Sequence, residues 1–507
     1  MGRGGGGGLG NVSSGVFGTL SSASANGYAN RDLAVRVDGP ARKHGELGGD
    51  KNDDEDAEVA SGGTFKHAGV NPVVDVNEEP LSTFGVDVDD AAWMYARRFL
   101  KMGRAPTPAS VRVEEFVNAM HYDYASPQKD AFAIHVDAAP SPFTRGMHVV
   151  RVALQAKKMT RDERKAASIV FLVDISGSMN QPDREPWVRD GIKLAVDHLR
   201  DDDRVAIVTY AGGVRVALPM TSAKNKTTID EAVDSLVPGG GTNMSSGMEL
   251  AYREANKELA SDRSARVIVM SDGDANIGKT SHEAILASIN GYVSEGVTMS
   301  TVGFGSGNYN DVMMESLADA GNGNYTYIDS KDTLRRFFVD EMTNTLEVVA
   351  QDAKIQVEWN KDAVQSYRLL GYENRALAAK DFRNDKKDAG DIGAGHAVTA
   401  LYEVQLRPDR DVSSSLGTVR VRHKIPRHEH ATEESTPIAA STIASSTDGL
   451  DNDAKCALGM ALAAEILRGS EHAAGLTLVD AARLLRASAR GEHARERREA
   501  AELFEKA

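Results

Sequence analysis

At 507 residues the chain exceeds the roughly 250–300 residues at which single cores stop growing, so two or three folded units are expected. A net charge of −15 repels phosphate backbones and anionic lipid heads, which argues against nucleic acid as a partner. The one cysteine, Cys456, excludes an intrachain disulfide and cysteine-rich zinc sites, and no run of about 18 apolar residues is present to insert directly into a membrane.

Residues 1–80 are rich in Gly, Ser and Asn and carry the acidic run DKNDDED at 50–56, a composition that predicts a disordered tether. Asp53, Asp54 and Asp56 read as part of that solvated linker rather than as cation ligands. Residues 81–160 predict a strand or turn near Thr83, helical spacing at Trp93, Ala96 and Leu100, a second short helix in 112–124, and strands at 131–143 and 147–157.

From Ser168 the pattern becomes strand, loop, helix, repeated. SIVFLVD, RVAIVTY, ARVIVMSDG and VTMSTVGFG are β-rich runs, and helices are expected at 186–200, 227–236, 245–260, 281–295, 309–320 and 331–349. This rhythm over residues 166–350 predicts an α/β domain with a doubly wound, mostly parallel sheet.

Residues 353–507 revert to isolated strands at 355–360, 397–406 and 416–425, followed by a Ser/Thr-rich connection through Asp448. Helices are expected at 453–468, 477–489 and 493–505, the first with Leu458, Leu462 and Ile466 on one stripe. Cys456 reads as a small buried hydrophobe in that helix. Arg490, Arg495, Arg497 and Arg498, interspersed with Glu492, Glu496 and Glu499, read as a solvated helix face. Neither flank has enough strands to cover its own apolar faces and edges, so the parallel domain is expected to be inserted into a β-rich domain built from both flanks.

The first parallel strand ends in Asp174-Ile175-Ser176-Gly177-Ser178, which sets a carboxylate and two hydroxyls on the rim where such sheets bind ligands. Thr242, after Gly239-Gly240-Gly241, and Asp272, in MSDGD, supply further oxygen donors at other strand ends. This D-x-S-x-S motif with a distant Thr and Asp resembles the metal-ion-dependent adhesion site of the von Willebrand factor type A (VWA) family. The resemblance implies that Asp174, Ser176, Ser178, Thr242 and Asp272 hold Mg²⁺ or Mn²⁺, directly or through water. Few carboxylates leave such a cation able to accept one more oxygen, so a protein partner presenting a carboxylate is expected.

Three other features lead elsewhere and are set aside. Asp272, Asp274, Asn276 and Glu283 mimic an EF-hand loop, but Ile277 stands where that loop needs glycine. Gly303-Phe304-Gly305-Ser306-Gly307 lacks a phosphate-loop pattern and reads as a tight turn beside the rim. His396 has no matched nucleophile and receives no role.

STFGVDVDDAAWMYARRFL (82–100), RVEEFVNAMHYDY (112–124) and YRLLGYENRALAAKDFRNDKKDAGDIGAGHAVTALYE (367–403) resemble the flanking segments of the bacterial YfbK-like VWA proteins. That resemblance implies a cell-envelope or periplasmic placement, whereas the lack of a signal-like apolar stretch and of an amino-terminal lipoprotein cysteine implies a cytoplasmic one. The expected function is metal-dependent protein binding, without catalytic residues. The alternatives are a metal-dependent hydrolase or phosphotransferase, which would lack an evident base, and a scaffold whose metal is structural.

Overall fold

The computed structural model of the protein describes residues 57–60, 63–260, 262–273, 285–287, 289–305, 309–387, 389–426, 428 and 430–507. Most of the tether (1–56), together with Asp274, Asn276 and Glu283 of the EF-hand-like stretch and Ser306 and Gly307 of the glycine loop, lies outside the described residues. The strands before the parallel domain are β1 (Ala57–Ala60), β2 (Gly63–Lys66), β3 (Val74–Asp75), β4 (Leu81–Gly85), β5 (Phe132–Pro140) and β6 (His148–Ala156). Those within it are β7 (Ala166–Asp174), β8 (Arg204–Tyr210), β9 (Val214–Ser222), β10 (Arg263–Ser271), β11 (Thr298–Phe304), β12 (Tyr309–Asn310) and β13 (Tyr325–Ile328). After it come β14 (Val348–Trp359), β15 (Val364–Leu370), β16 (Ile392–Gly393), β17 (Ala397–Leu406), β18 (Gly417–Lys424) and β19 (Ala431–Ile438).

The central sheet has the order β13-β11-β10-β7-β8-β9 and is parallel except for β9, which runs antiparallel to β8. β7 is apolar without alternation because both of its faces are covered. Ile169, Phe171 and Val173 pack with Val188, Ile192 and Ala195 of the helix Glu185–His198. Val170 and Leu172 pack on the opposite side with Met248, Ala251 and Tyr252 of the helix Met244–Asn256. The sheet is therefore doubly wound. Because β8 and β10 flank β7 on opposite sides, the crevice of this topology opens at the carboxyl end of β7, beside Asp174.

The flanks join across this domain. β6, which precedes it, pairs antiparallel with β17, which follows it, from Val404↔His148 to Ala397↔Gln155, inside a five-stranded sheet ordered β3-β15-β17-β6-β5. β4 likewise pairs with β14, in the sheet that also holds β16, β18 and β19. Val150, Val152, Leu154 and Tyr402 of the first sheet share a core with Ile355, Val357, Val419 and Val421 of the second. The VWA-like sheet is thus inserted into a β-sandwich made from both flanks, as the count of uncovered edges predicts. On the other face of the first sheet, Val149, Ala153 and Leu401 meet the helices Ala91–Lys101, Val113–Asn118, Asn452–Leu467, Leu478–Ser488 and Ala494–Lys506.

Four expectations are corrected. The last third of the tether is structured: β1 pairs with β2, Phe65 is buried against Tyr95 with ring centroids 4.9 Å apart, and β3 pairs with β15. The helix expected at 331–349 is two short α-helices, Lys331–Arg335 and Met342–Leu346, around a π-turn at Arg336–Asp340. The helix Asn452–Leu467 is buried on nearly every side rather than on one stripe, with Cys456 inside as expected. The basic face near the carboxyl end is half docked: Arg497 is 1% exposed and donates to Asp453, Ser488 and His121. No helix among the described residues is long and apolar enough to cross a membrane.

Candidate metal centre

Asp174 is the last residue of β7, and its carboxylate is held from two directions. Oδ1 accepts the Ser176 backbone N–H at 2.8 Å, a turn in which an Asp side chain imitates a backbone carbonyl. Oδ2 accepts the Ser271 hydroxyl at 2.8 Å from the end of the neighbouring strand β10. The hydroxyls of Ser176 and Ser178 stand 2.9 Å apart on the turn that follows.

Thr242 reaches the rim on a glycine loop tied down by backbone bonds. Gly239 N–H donates to the Ile175 carbonyl at 2.7 Å, and Gly177 N–H to the Gly240 carbonyl at 3.0 Å. Gly240 has φ +94, and a Cβ there would lie 3.2 Å from the Gly212 nitrogen, so glycine suits both the turn and the close approach. Asp174, Ser176, Thr242 and Asp272 are each at most 1% exposed, and Ser178 is half-buried.

The structure thus links Asp174, Ser176 and Ser178 by hydrogen bonds and sets the Thr242 loop against the same turn. Asp272 follows β10 directly, and its negative charge is felt at Asp174. Burial first, and then that carboxylate, push the Asp174 carboxyl up to about 6. Two buried carboxylates side by side call for positive charge. Part of it comes from a residue the sequence did not single out: Arg184, the residue before the helix Glu185–His198, whose Nη1 pairs with Asp272 Oδ2 and donates to the Ser178 carbonyl at 2.9 Å. Gly305 makes room for it, because a Cβ there would lie 2.1 Å from Arg184 Nε. The sequence signal available was charge balance: a rim with two aspartates and an arginine ten residues beyond the first of them.

The donor set fits a hard dication. All five side chains offer oxygen, and the guanidinium already stands against one of them as a positive charge. Arg184 is a cation standing where a metal's charge would be felt, and its pairing with Asp272 shows that the rim accepts positive charge.

Three family models match successive parts of the chain: "von Willebrand factor" over 60–151, "von Willebrand factor type A domain" over 168–340, and "Uncharacterized protein YfbK, C-terminal" over 344–507. The "Uncharacterized protein YfbK" of Escherichia coli (strain K12) is 37% identical over 441 residues, which cover 82% of this chain and 76% of that one. The chain belongs to the YfbK family. Within that family it carries a VWA domain, a module of general protein-interaction character. An "Uncharacterized protein sll0103" of Synechocystis sp. is 26% identical over 193 residues, covering 37% of this chain and 45% of its own. A solved structure, "von Willebrand factor type A from Catenulispora acidiphila", aligns with a TM-score of 0.42 at 19% identity, over 69% of this YfbK-family chain and 89% of that one.

Proposed function

We propose that the rim binds Mg²⁺ or Mn²⁺ through Asp174, Ser176, Ser178, Thr242 and Asp272, and that the bound metal grips a carboxylate on a protein partner. The observation that carries this reading is the convergence of buried oxygen donors at the switch point of the sheet, with two carboxylates close enough for one to raise the other. When bound, the dication supplies a Lewis-acidic position for one further oxygen. The chain's own residues hold that position ready: Ser271 and the Ser176 backbone fix the Asp174 carboxylate, and the glycine loop fixes Thr242.

Binding rather than turnover is favoured by the donor types. Hydroxyls and carboxylates that face one cation are suited to accept a ligand, whereas water activation needs a positioned base as well. Calorimetric titration of the full chain with Mg²⁺ should give one site that is lost in the Asp174→Ala, Asp272→Ala double variant. Equal Mg²⁺ affinity in the wild type and the double variant would remove the rim as the site.

A further inference from the structure

A second cluster of ligating side chains lies where the amino-terminal flank meets the last helix, on elements separate from the rim. His121 follows the helix Val113–Asn118, while His493 caps the helix Ala494–Lys506 and Glu496 occupies its first turn. One ligand atom from each of His121, His493 and Glu496 lies within 4.8 Å of the others, and Asp123, Glu492 and His493 meet the same condition. His121 Nδ1 is 3.2 Å from both Glu496 oxygens, and His493 Nε2 is 3.1 Å from Asp123 Oδ1. The two imidazoles stack with centroids 5.4 Å apart and planes 19° apart.

The scaffold beneath is firm. The buried Arg497 guanidinium donates to the His121 carbonyl at 3.1 Å and to Asp453, and Asp453 accepts the Asp123 backbone N–H at 2.8 Å. The segment 121–123 and the start of the last helix are therefore held in register independently of the imidazole contacts. His121, Asp123 and His493 of the cluster line a cavity of about 380 Å³ whose other walls include Glu341, His396 and Arg336, the last paired with Glu496 at 3.5 Å. The His396 Nδ1, in that wall, is buried and meets no hydrogen-bond partner among the described residues. Glu341 lies in the same lining, 3.7 Å from His121 Nε2.

We propose that His121, His493 and Glu496, with Asp123 beside them, form a second metal site for a Zn²⁺-class dication that clamps the last helix to the amino-terminal flank. Imidazole nitrogen with carboxylate oxygen selects a borderline cation such as Zn²⁺, whereas the all-oxygen rim selects Mg²⁺ or Mn²⁺, so the two sites separate by metal chemistry. Side-chain rotation alone must bring the donors into a shell with bonds of about 2.0–2.2 Å, because the backbones are already fixed. A clamp of this kind ties residues 370 or more positions apart in sequence, and it closes the cavity on the side where the last helix docks.

The test uses the metal-free full chain with Co²⁺ as a spectroscopic probe and Zn²⁺ as competitor. The wild type and the Asp174→Ala variant should both develop the visible absorption of Co²⁺ in a low-symmetry nitrogen and oxygen shell, and lose it on adding one equivalent of Zn²⁺. The His121→Gln, His493→Gln double variant should bind Zn²⁺ at least 100-fold more weakly. Glu496→Gln, which keeps a hydrogen-bond acceptor for His121 but gives up the ion pair with Arg336, should weaken Zn²⁺ at least tenfold in a chain that still folds, and it decides the matter should the double variant fail to fold. Absence of the Co²⁺ spectrum in the wild type, or unchanged Zn²⁺ affinity in Glu496→Gln, would overturn the site and leave the cluster as an ion-pair network. Loss of the spectrum in Asp174→Ala would also overturn it, by assigning the nitrogen-containing shell to the rim.

Discussion

The charge balance of the rim turns on Arg184. Its guanidinium pairs with Asp272, one of the five residues read as metal ligands, and also holds the Ser178 carbonyl at the next ligand position. A dication entering the rim must share Asp272 with that positive charge. Two such charges a few ångströms apart repel by several kcal/mol even at an effective dielectric constant of about 20. Losing the guanidinium also releases an anchor for Asp272, which offsets part of the gain, so the net effect is set at about 1.4 kcal/mol, or tenfold. Arg184→Gln should therefore tighten Mg²⁺ binding about tenfold in calorimetry. Weaker binding in the variant would mean that Arg184 serves the metal by holding Asp272 rather than opposing it. Asp174, Ser176 and Ser178 stand out as candidates because D-x-S-x-S is a local spacing, and Thr242 and Asp272 because they follow other β-rich or glycine-rich runs. Arg184 does not, because its role depends on which strand ends the fold sets side by side.

Among the secondary-structure elements, the legible ones were those whose pattern matches their environment. β7 and β10 are buried on both faces and read as largely apolar runs, IVFLV and VIVM, and β18 alternates Val419 and Val421 against Arg420 and Arg422. β19, ATEESTPI, reads as connection in the sequence because it is an edge strand: one ladder to β18 is enough for it, and only Ile438 is fully buried. The break at Arg336–Asp340 was hidden for a different reason. Its apolar spacing is helical on both sides, but the chain must turn so that Phe337 and Phe338 enter the core while Arg336 reaches Asp90 and Glu341.

β18 also carries a group whose titration should be visible. His423 is 2% exposed, meets the Phe132 ring edge-on at 4.9 Å, and has a buried Nδ1 without a hydrogen-bond partner among the described residues. Burial lowers its imidazole from 6.5 to about 4. Above pH 6.5 it is neutral in both folded and unfolded chains, and its neutral packing is fully present. As the pH falls from 6.5 toward 4, the unfolded chain takes up a proton that the folded chain refuses, so stability is lost across that window. His423→Phe should flatten this part of the profile: between pH 7 and pH 5 the melting temperature of the wild type should drop further than that of the variant. Parallel profiles would show that His423 takes up its proton in the folded chain.

At the scale of the whole molecule, chain order and domain membership do not coincide. β17 has β6 on one side and β15 on the other, so a fragment that begins after the VWA domain leaves Val398, Ala400 and Tyr402 beside an open edge. It also loses β4 from β14 and Val150, Val152 and Leu154 from the sandwich core. The helical layer loses Trp93, whose ring meets Phe116 at 5.2 Å and Phe504 at 5.6 Å, and with it much of what covers the last helix. Each large apolar side chain removed from a core forfeits about 1.5–3 kcal/mol. A domain's whole margin is about 5–15 kcal/mol, so these losses exceed what a stable fold can absorb. Residues 166–350 differ, because helices of their own cover both faces of β7, β8 and β10, while the β13 edge leans on the flank, through Tyr309 and Tyr327 against Tyr95. The fragment 351–507 expressed alone should be digested rapidly by a nonspecific protease. Co-expression with 57–158 should restore protection, since that piece returns β3, β4, β5, β6 and Trp93, while 166–350 alone should resist digestion. A protease-resistant 351–507 would mean that the carboxy-terminal strands and helices close a core without β6, contrary to the pairing of β6 with β17 from Val404↔His148 to Ala397↔Gln155.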